Sequence, residues 1–402
     1  MRAGQVRGTA AIAAIAAFAL LAACGGAATG ARDDVAAPAD APVDATIEVE
    51  PPGDGPGDGL ANPDAALPDG PDDPAQPEPV EDLAAGMEPG DPAADEPAGE
   101  PVVDDVPPAD QAPADPGPEA FPPPSPVGCV TSVAAGAHQF PCDGLVHDVS
   151  VPAQCLDGAC GVVLDLHGLT MNGLMQDRNT NLRALGAQHG YVVIQPNANP
   201  APPASSWKTG EDDAKVLAFL DDVQAAFHAD PDRVHVTGFS QGGLMTWRFV
   251  CKHADRFASA AAGSSCNYPT LEACLFSGGN APSRRIPLLY MHGKDDIIYL
   301  WQAAQAQRDA VIKHWDLQEF ATLSSDSHHE WKRYTGLNGA LFEFVWHDYK
   351  AKSDVLKGHC YPGSTDPGDA PGQLFPFRCD DAAAFAWGEI AMRFFLDHPM
   401  GK

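Results

Sequence analysis

Residues Arg233 to Gly243, RVHVTGFSQGG, decide how this chain is read. Val234, Val236 and Thr237 make the segment rich in β-branched residues, Gly238 and Gly242 flank Ser240, and LMTWRFVCKH places apolar or aromatic residues at helical spacing. Strand, sharp turn and helix around GFSQG is the context a GxSxG nucleophile elbow requires, in which two glycines make room for a strained turn that lifts a serine hydroxyl out of a sheet. The motif is short, and a plain glycine turn between strand and helix has the same letters. Ser240 therefore gains weight only from what surrounds it.

Upstream, the chain divides by composition. Met1 to Ala23 carries Arg2 and Arg7 ahead of AAIAAIAAFALLAA, a run short for a membrane span and suited to a signal peptide. It ends in Leu21-Ala22-Ala23-Cys24, which resembles the lipobox of bacterial lipoproteins. That resemblance implies a lipidated Cys24 at the mature N-terminus, anchored to a membrane without spanning it. Gly25 following Cys24 favours an outer membrane over retention at the inner one. Residues 24–127 are an acidic linker of Ala, Pro, Gly, Asp and Glu. Between Gly25 and Pro126 stand 25 acidic residues against Arg32 alone, so most of the net charge of −31 lies there. With almost no aromatics, this segment buries too little apolar surface to offset its chain entropy, and proline and charge repulsion favour an extended tether. The acidity thus describes the tether and says little about a substrate.

Residues 128–402 form one domain, with 30 acidic and 21 basic residues, a balance that argues against nucleic acid as a partner. Nine of the ten cysteines lie in it. After an export signal they read as disulfides, since no CxxC pair has zinc spacing. Nearest-neighbour pairing gives 129–142, 155–160, 266–274 and 360–379 and leaves Cys251 over. Strand and helix patterns alternate from Gly161: VVLDLHG, a helix over 174–188, YVVIQP, an amphipathic helix over 212–227, the elbow strand, FASAAAGSS, IPLLYMHG, a helix over 302–315, LFEFVWHDY and a closing helix over 383–396. Repeated βα units predict a doubly wound, mostly parallel sheet with helices on both faces.

Chemistry in such a sheet collects at the carboxyl ends of the strands. His167-Gly168-Leu169 ends one strand, where the N–H of Leu169 could join that of Gln241 in holding a developing oxyanion. HGKDDIIY, residues 292–299, ends a later one and offers Asp296, with Asp295 as the alternative, as the acid in the chain order Ser, Asp, His of α/β-hydrolases. KGHCYPG, residues 357–363, puts His359 in a glycine- and proline-rich loop after the last predicted strand, where a base belongs. A Cys360–Cys379 bridge would pin that base and, in the chain-entropy picture, contribute about 3 kcal/mol. His328, His329 and His347 lack HExxH-like spacing, so no metal is expected.

With these residues in hand, the stretch from about Val162 to Pro399 resembles bacterial esterases of the polyhydroxybutyrate depolymerase and feruloyl esterase family, of α/β-hydrolase fold. LHG, DDAKVLAFLDDV, DPDRVHVTGFSQGG, HGKDD, GHCYPG and FFLDHP carry the resemblance. It implies Ser240 as nucleophile, His359 as base, Asp296 as orienting acid, and Leu169 and Gln241 as oxyanion donors, with no cofactor. Tyr361 where many relatives have Trp, and Tyr299 in place of an expected proline, are departures that bear on substrate choice. Trp207, in PPASSWKTG, and Tyr361 are candidate wall residues for an apolar acyl group. The expected substrate is a carboxylic ester, polymeric in the polyhydroxyalkanoate or feruloyl/acetyl polysaccharide sense. The competing readings are a serine peptidase of the same superfamily and a surface lipoprotein that only binds.

Overall fold

The computed structural model describes residues 122–266 and 281–401. The expected signal peptide, Cys24 and nearly all of the linker lie outside the described residues, as does Cys274. A ten-stranded sheet runs through the described part in the order β1-β2-β4-β3-β5-β6-β7-β10-β9-β8. Its strands are β1 (Gly136–Cys142), β2 (Leu145–Val151), β3 (Gly161–Leu166), β4 (Tyr191–Asn197), β5 (Val234–Phe239), β6 (Ser259–Gly263), β7 (Leu288–Gly293), β8 (Leu317–Ser325), β9 (His329–Gly336) and β10 (Leu341–His347). The six central strands, from β4 across to β10, pair in parallel, and each edge carries two antiparallel strands. The expected doubly wound, mostly parallel sheet of an α/β-hydrolase is what the chain forms.

The period-2 alternation of side chains sorts each strand between two cores. Val162, Leu164 and Leu166 of β3, with Val234 and Val236 of β5, join one core. Val163, Val193, Phe239, Leu289 and Val345 join the other. Both faces are apolar because both are covered by helices. Helices α3 (Glu211–Ala226), α4 (Gln241–Lys252) and α5 (Trp301–His314) cover the first face; α1 (Gly173–Thr180), α2 (Leu182–His189) and α6 (Trp387–Asp397) cover the second. Arg248 of α4 is buried and grips Asp213 of α3 with two hydrogen bonds of 2.6 Å, so the two helices beside the elbow are tied by a bidentate ion pair.

The structure differs from the sequence reading in several places, one of them the edge hairpin of β1 and β2, which lies before the first strand read from sequence. The single helix expected over 174–188 is two, because Asn181 sits in the left-handed region at φ 55° and its N–H bonds to the Asp177 carbonyl. The closing helix begins at Trp387. The hairpin of β8 and β9 went unread because β8 is exposed along nearly its whole length and so lacks the apolar alternation that marks a strand. Disulfides join Cys129–Cys142, Cys155–Cys160 and Cys360–Cys379, as nearest-neighbour pairing gives. Cys251, expected to be left over, is itself disulfide-bonded, as is Cys266; order along the chain does not determine which sulfurs meet in space.

The packing of α6 rests on one glycine. A Cβ built on Gly388 would lie 1.6 Å from the carbonyl oxygen of Thr180, at the end of α1. Backbone, not a movable side chain, occupies that space. Gly388→Ala is therefore expected to destabilise the domain by about 2 kcal/mol or more, the overpacking cost exceeding the gain of about 1 kcal/mol in helix propensity. A thermal melt checks this: a midpoint equal to or above the wild type's would contradict the close crossing.

Candidate active site

The elbow is built as its glycines require. Ser240 takes φ 55° and ψ −118° between β5 and α4, a strained conformation for a residue with a side chain. A Cβ on Gly238 would meet the Gly242 carbonyl carbon at 2.5 Å, and one on Gly242 would meet the Leu166 carbonyl oxygen at 2.1 Å. Neither position admits a side chain, which is the physical content of the motif. Gly168 presses on the elbow from the other side, its absent Cβ only 3.2 Å from Ser240 Cβ.

That contact brings the His167-Gly168-Leu169 turn over Ser240, and His167 shapes the turn. The Ala198 N–H donates to His167 Nε2 at 3.0 Å, which leaves the proton on Nδ1, 2.7 Å from the Gly168 carbonyl. Burial pushes the ring's pKa down to about 4, against the opposing pull of the Gly168 hydrogen bond, so it is neutral and structural. The N–H groups of Thr170 and Met171 are used by Ser205 and Gly168 carbonyls. Those of Leu169 and Gln241 donate to nothing among the described residues.

Two further strand-end loops meet backbone to backbone. A Cβ on Gly293 would lie 2.2 Å from the Gly358 carbonyl oxygen, and one on Gly358 would lie 2.6 Å from the Asp296 nitrogen. This glycine-on-glycine approach, with the Gly358 N–H bonded to the Asp295 carbonyl at 3.1 Å, sets His359 beside Asp296. His359 Nδ1 is 2.7 Å from Asp296 Oδ2. The other carboxylate oxygen, Oδ1, accepts the N–H groups of Ile298 and Tyr299 at 2.8 and 2.9 Å. Burial alone would raise this carboxyl, but the charges and hydrogen bonds of His359, His292 and the Tyr299 N–H outweigh it and hold the pKa below the ordinary value. His292, Nε2 bonded to the Tyr299 carbonyl at 2.7 Å, lies 3.8 Å from the same carboxylate and was not singled out from sequence; the HGKDD run contains it, but its part in wrapping the 296–299 turn is visible only in three dimensions. Asp295 is exposed and points away into a surface cleft with His328 and Asp348.

Ser240 and His359 line one cleft together with Leu169, Thr170, Ile298, Leu356, Phe375 and Phe377. His359 Nε2 has no hydrogen-bond partner among the described residues, and the ring packs 4.8 Å from Phe239. Two candidates fall elsewhere. Trp207, only 4% exposed, lies behind the cleft: its Nε1–H donates to the His167 carbonyl at 2.8 Å, its main-chain N–H to Gln241 Oε1 at 3.0 Å, and its ring lies 4.6 Å from that of His167. Tyr361 is fully buried, stacked 3.9 Å from Phe239, with its hydroxyl donating to Gln176 Oε1 at 2.6 Å. Gln176 in turn donates to Asp165, whose burial pushes its carboxyl up to about 6 against the hydrogen bonds of Gln195, Gln176 and Thr180. Both aromatics brace the loops that carry the site, and among the described residues neither lines this cleft; a polar handle that finds a buried partner draws such a ring inward. Phe375 and Phe377, which the sequence reading missed, line the cleft instead. Their only sequence signal is a position inside the loop that Cys360–Cys379 closes.

Residues 207–336 match the family described as phospholipase/carboxylesterase. A bifunctional acetylxylan esterase/xylanase of Neocallimastix patriciarum is 24% identical over 183 residues, 45% of this chain and 25% of its own length. A feruloyl esterase B of Piromyces equi is 22% identical over 157 residues, 38% of this chain and 29% of its own. A poly(3-hydroxyalkanoate) depolymerase C of Paucimonas lemoignei is 30% identical over 110 residues, 25% of this chain and 26% of its own. The chain thus spans about a quarter of the length of these curated relatives. No helix among the described residues is long and apolar enough to cross a membrane. By sheet order and elbow the chain has the α/β-hydrolase fold, and in sequence it is similar to the phospholipase/carboxylesterase family and to esterases acting at carboxylic esters.

Proposed function

We propose that the protein is a serine esterase that cleaves carboxylic esters through an acyl-enzyme. The observation that carries this reading is the 2.7 Å hydrogen bond from His359 to Asp296, across 63 residues of sequence, on the wall of the cleft that also holds Ser240. A serine hydroxyl is a weak nucleophile at its ordinary pKa. Asp296, accepting the proton on Nδ1, leaves Nε2 of His359 as a lone pair able to take the Ser240 proton as Oγ attacks the ester carbonyl. The N–H groups of Leu169 and Gln241 receive the oxyanion, each donor contributing about 3 kcal/mol in the transition state. The proton on Nε2 then passes to the departing alkoxide, leaving an acyl-Ser240. Water, activated by the same ring, releases the acid. Every proton is carried by His359, and the chemistry calls for no cofactor.

The similarity to acetylxylan and feruloyl esterases and to a hydroxyalkanoate depolymerase supports an ester whose alcohol side belongs to a polymer. An export signal and lipidation at Cys24, followed by the acidic tether, would hold the enzyme at the outer surface of a cell envelope, within reach of such material. A fluorophosphonate probe tests the reading on the intact protein. We expect one adduct, mapped to the Ser240 peptide by mass spectrometry, and hydrolysis of p-nitrophenyl acetate. Turnover of chromogenic peptides without ester turnover would favour a peptidase, and absence of both adduct and turnover would favour a protein that only binds.

A further inference from the structure

Trp207 is joined to both residues whose N–H groups face the oxyanion position, through its side chain to one and through its main chain to the other. The Leu169 N–H belongs to the peptide unit whose carbonyl is that of Gly168. A trans peptide is planar, so its N–H points opposite to its C=O. The Gly168 carbonyl is held twice, by the His167 Nδ1–H at 2.7 Å and by the Met171 N–H at 3.2 Å, which turns the Leu169 N–H away from both. Whatever fixes His167 therefore aims that donor. The Ala198 N–H fixes one ring nitrogen at 3.0 Å. Trp207 holds His167 at two further points: its ring lies 4.6 Å from the imidazole, and its Nε1–H donates to the His167 carbonyl at 2.8 Å. An indole nitrogen can only donate, so this bond has a single direction.

The second donor is reached from the Trp207 main chain. Its N–H donates to Gln241 Oε1 at 3.0 Å, and Gln241 Nε2 donates back to the Trp207 carbonyl at 3.3 Å and to Ser206 Oγ at 3.0 Å. Gln241 opens α4, and its side chain thus ties the turn that carries the second N–H to Trp207. The segment around Trp207 is fastened to the oxyanion turn again by the Thr170 N–H on the Ser205 carbonyl at 2.9 Å and by Ser205 Oγ on the Met171 carbonyl. One buried residue spans the gap between the two donors.

Granting Ser240 as the nucleophile and Leu169 and Gln241 as the oxyanion donors, we propose that Trp207 is a positioning residue that sets the spacing and aim of those two N–H groups before substrate arrives. Such donors act through preorganisation, pointing at the developing charge without rearranging as it forms. They grip the transition state more tightly than the ester, so loosening the residue that spans them lowers the rate without weakening substrate binding.

Trp207→Phe tests this, because it keeps a ring against His167 and both main-chain bonds to Gln241 but removes the Nε1–H. On the intact protein, kcat and kcat/KM for p-nitrophenyl acetate should fall together by about 10- to 100-fold, short of the roughly 10²- to 10³-fold cost of deleting a donor. The inhibition constant of a trifluoromethyl ketone, whose adduct with Ser240 carries the same oxyanion, should rise by a similar factor. A role confined to packing would lower the melting temperature and leave that constant in place. If the variant does not fold, Gln241→Ala takes its place, since it removes the side-chain grip on Trp207 and retains the main-chain N–H. A folded variant whose kcat stays within about 2-fold of the wild type overturns the proposal, as does a loss of kcat with unchanged inhibition by the ketone. The fluorophosphonate adduct separates this from failure of the underlying reading: a labelled, active wild type with an unaffected variant removes only the positioning role, whereas no adduct and no ester turnover removes the nucleophile and the positioning role with it.

Discussion

Ser240→Ala is expected to lower kcat on p-nitrophenyl acetate by about 10⁶, the scale on which loss of a triad serine acts, because no other group at the elbow can form the acyl-enzyme. The fold should not change. The left-handed φ of 55° at position 240 is already borne by a residue with a Cβ, so alanine introduces no new backbone strain, and the packing of Gly168 against that Cβ is retained. An unaltered melting temperature together with the loss of turnover is the expected pair of results. Activity within 10-fold of the wild type would remove Ser240 from the chemistry.

Much of this architecture was legible in the residues. The central strands are apolar on both faces, which is what a helix-covered parallel sheet imposes, so VVLDL, YVVIQ and LLYMHG announced themselves. The strand-end loops were legible for a related reason: each carries a glycine whose Cβ would strike backbone, as at Gly242, Gly293 and Gly358, and such glycines stand out between apolar runs. Neither edge hairpin was read: β1 and β2 precede the first strand taken from sequence, and β8 has no buried face to impress a pattern on its sequence. Nor was the direction of an aromatic side chain. Trp207 and Tyr361 had the composition of wall residues, but which way they turn depends on His167 and Gln176, carbonyl and amide partners 40 and 185 residues away. The same limit hid Phe375 and Phe377, whose approach to Ser240 follows from a loop closed on itself and fastened to α1.

The choice between two adjacent carboxylates is the second large effect, and the hydrogen bonds around Asp296 dictate its outcome. Oδ1 of Asp296 is fixed by the N–H groups of Ile298 and Tyr299, and Oδ2 faces His359 Nδ1. In Asp296→Asn the amide carbonyl must take the place of Oδ1, since an NH₂ there would confront two donors. The NH₂ group is then turned toward His359, where it donates to Nδ1. That moves the ring proton to Nε2, the atom that must be free to receive the proton of Ser240. The variant should therefore fold but react slowly with the fluorophosphonate probe, with kcat reduced by about 10⁴, the cost of a wrong tautomer with geometry intact. Asp295→Asn removes an exposed charge whose side chain faces a different cleft, and kcat is expected to stay within about 3-fold of the wild type, as for a surface substitution away from the chemistry. Steady-state kinetics on the two variants side by side decides the matter, and a larger loss at position 295 than at 296 would reverse the assignment of the acid.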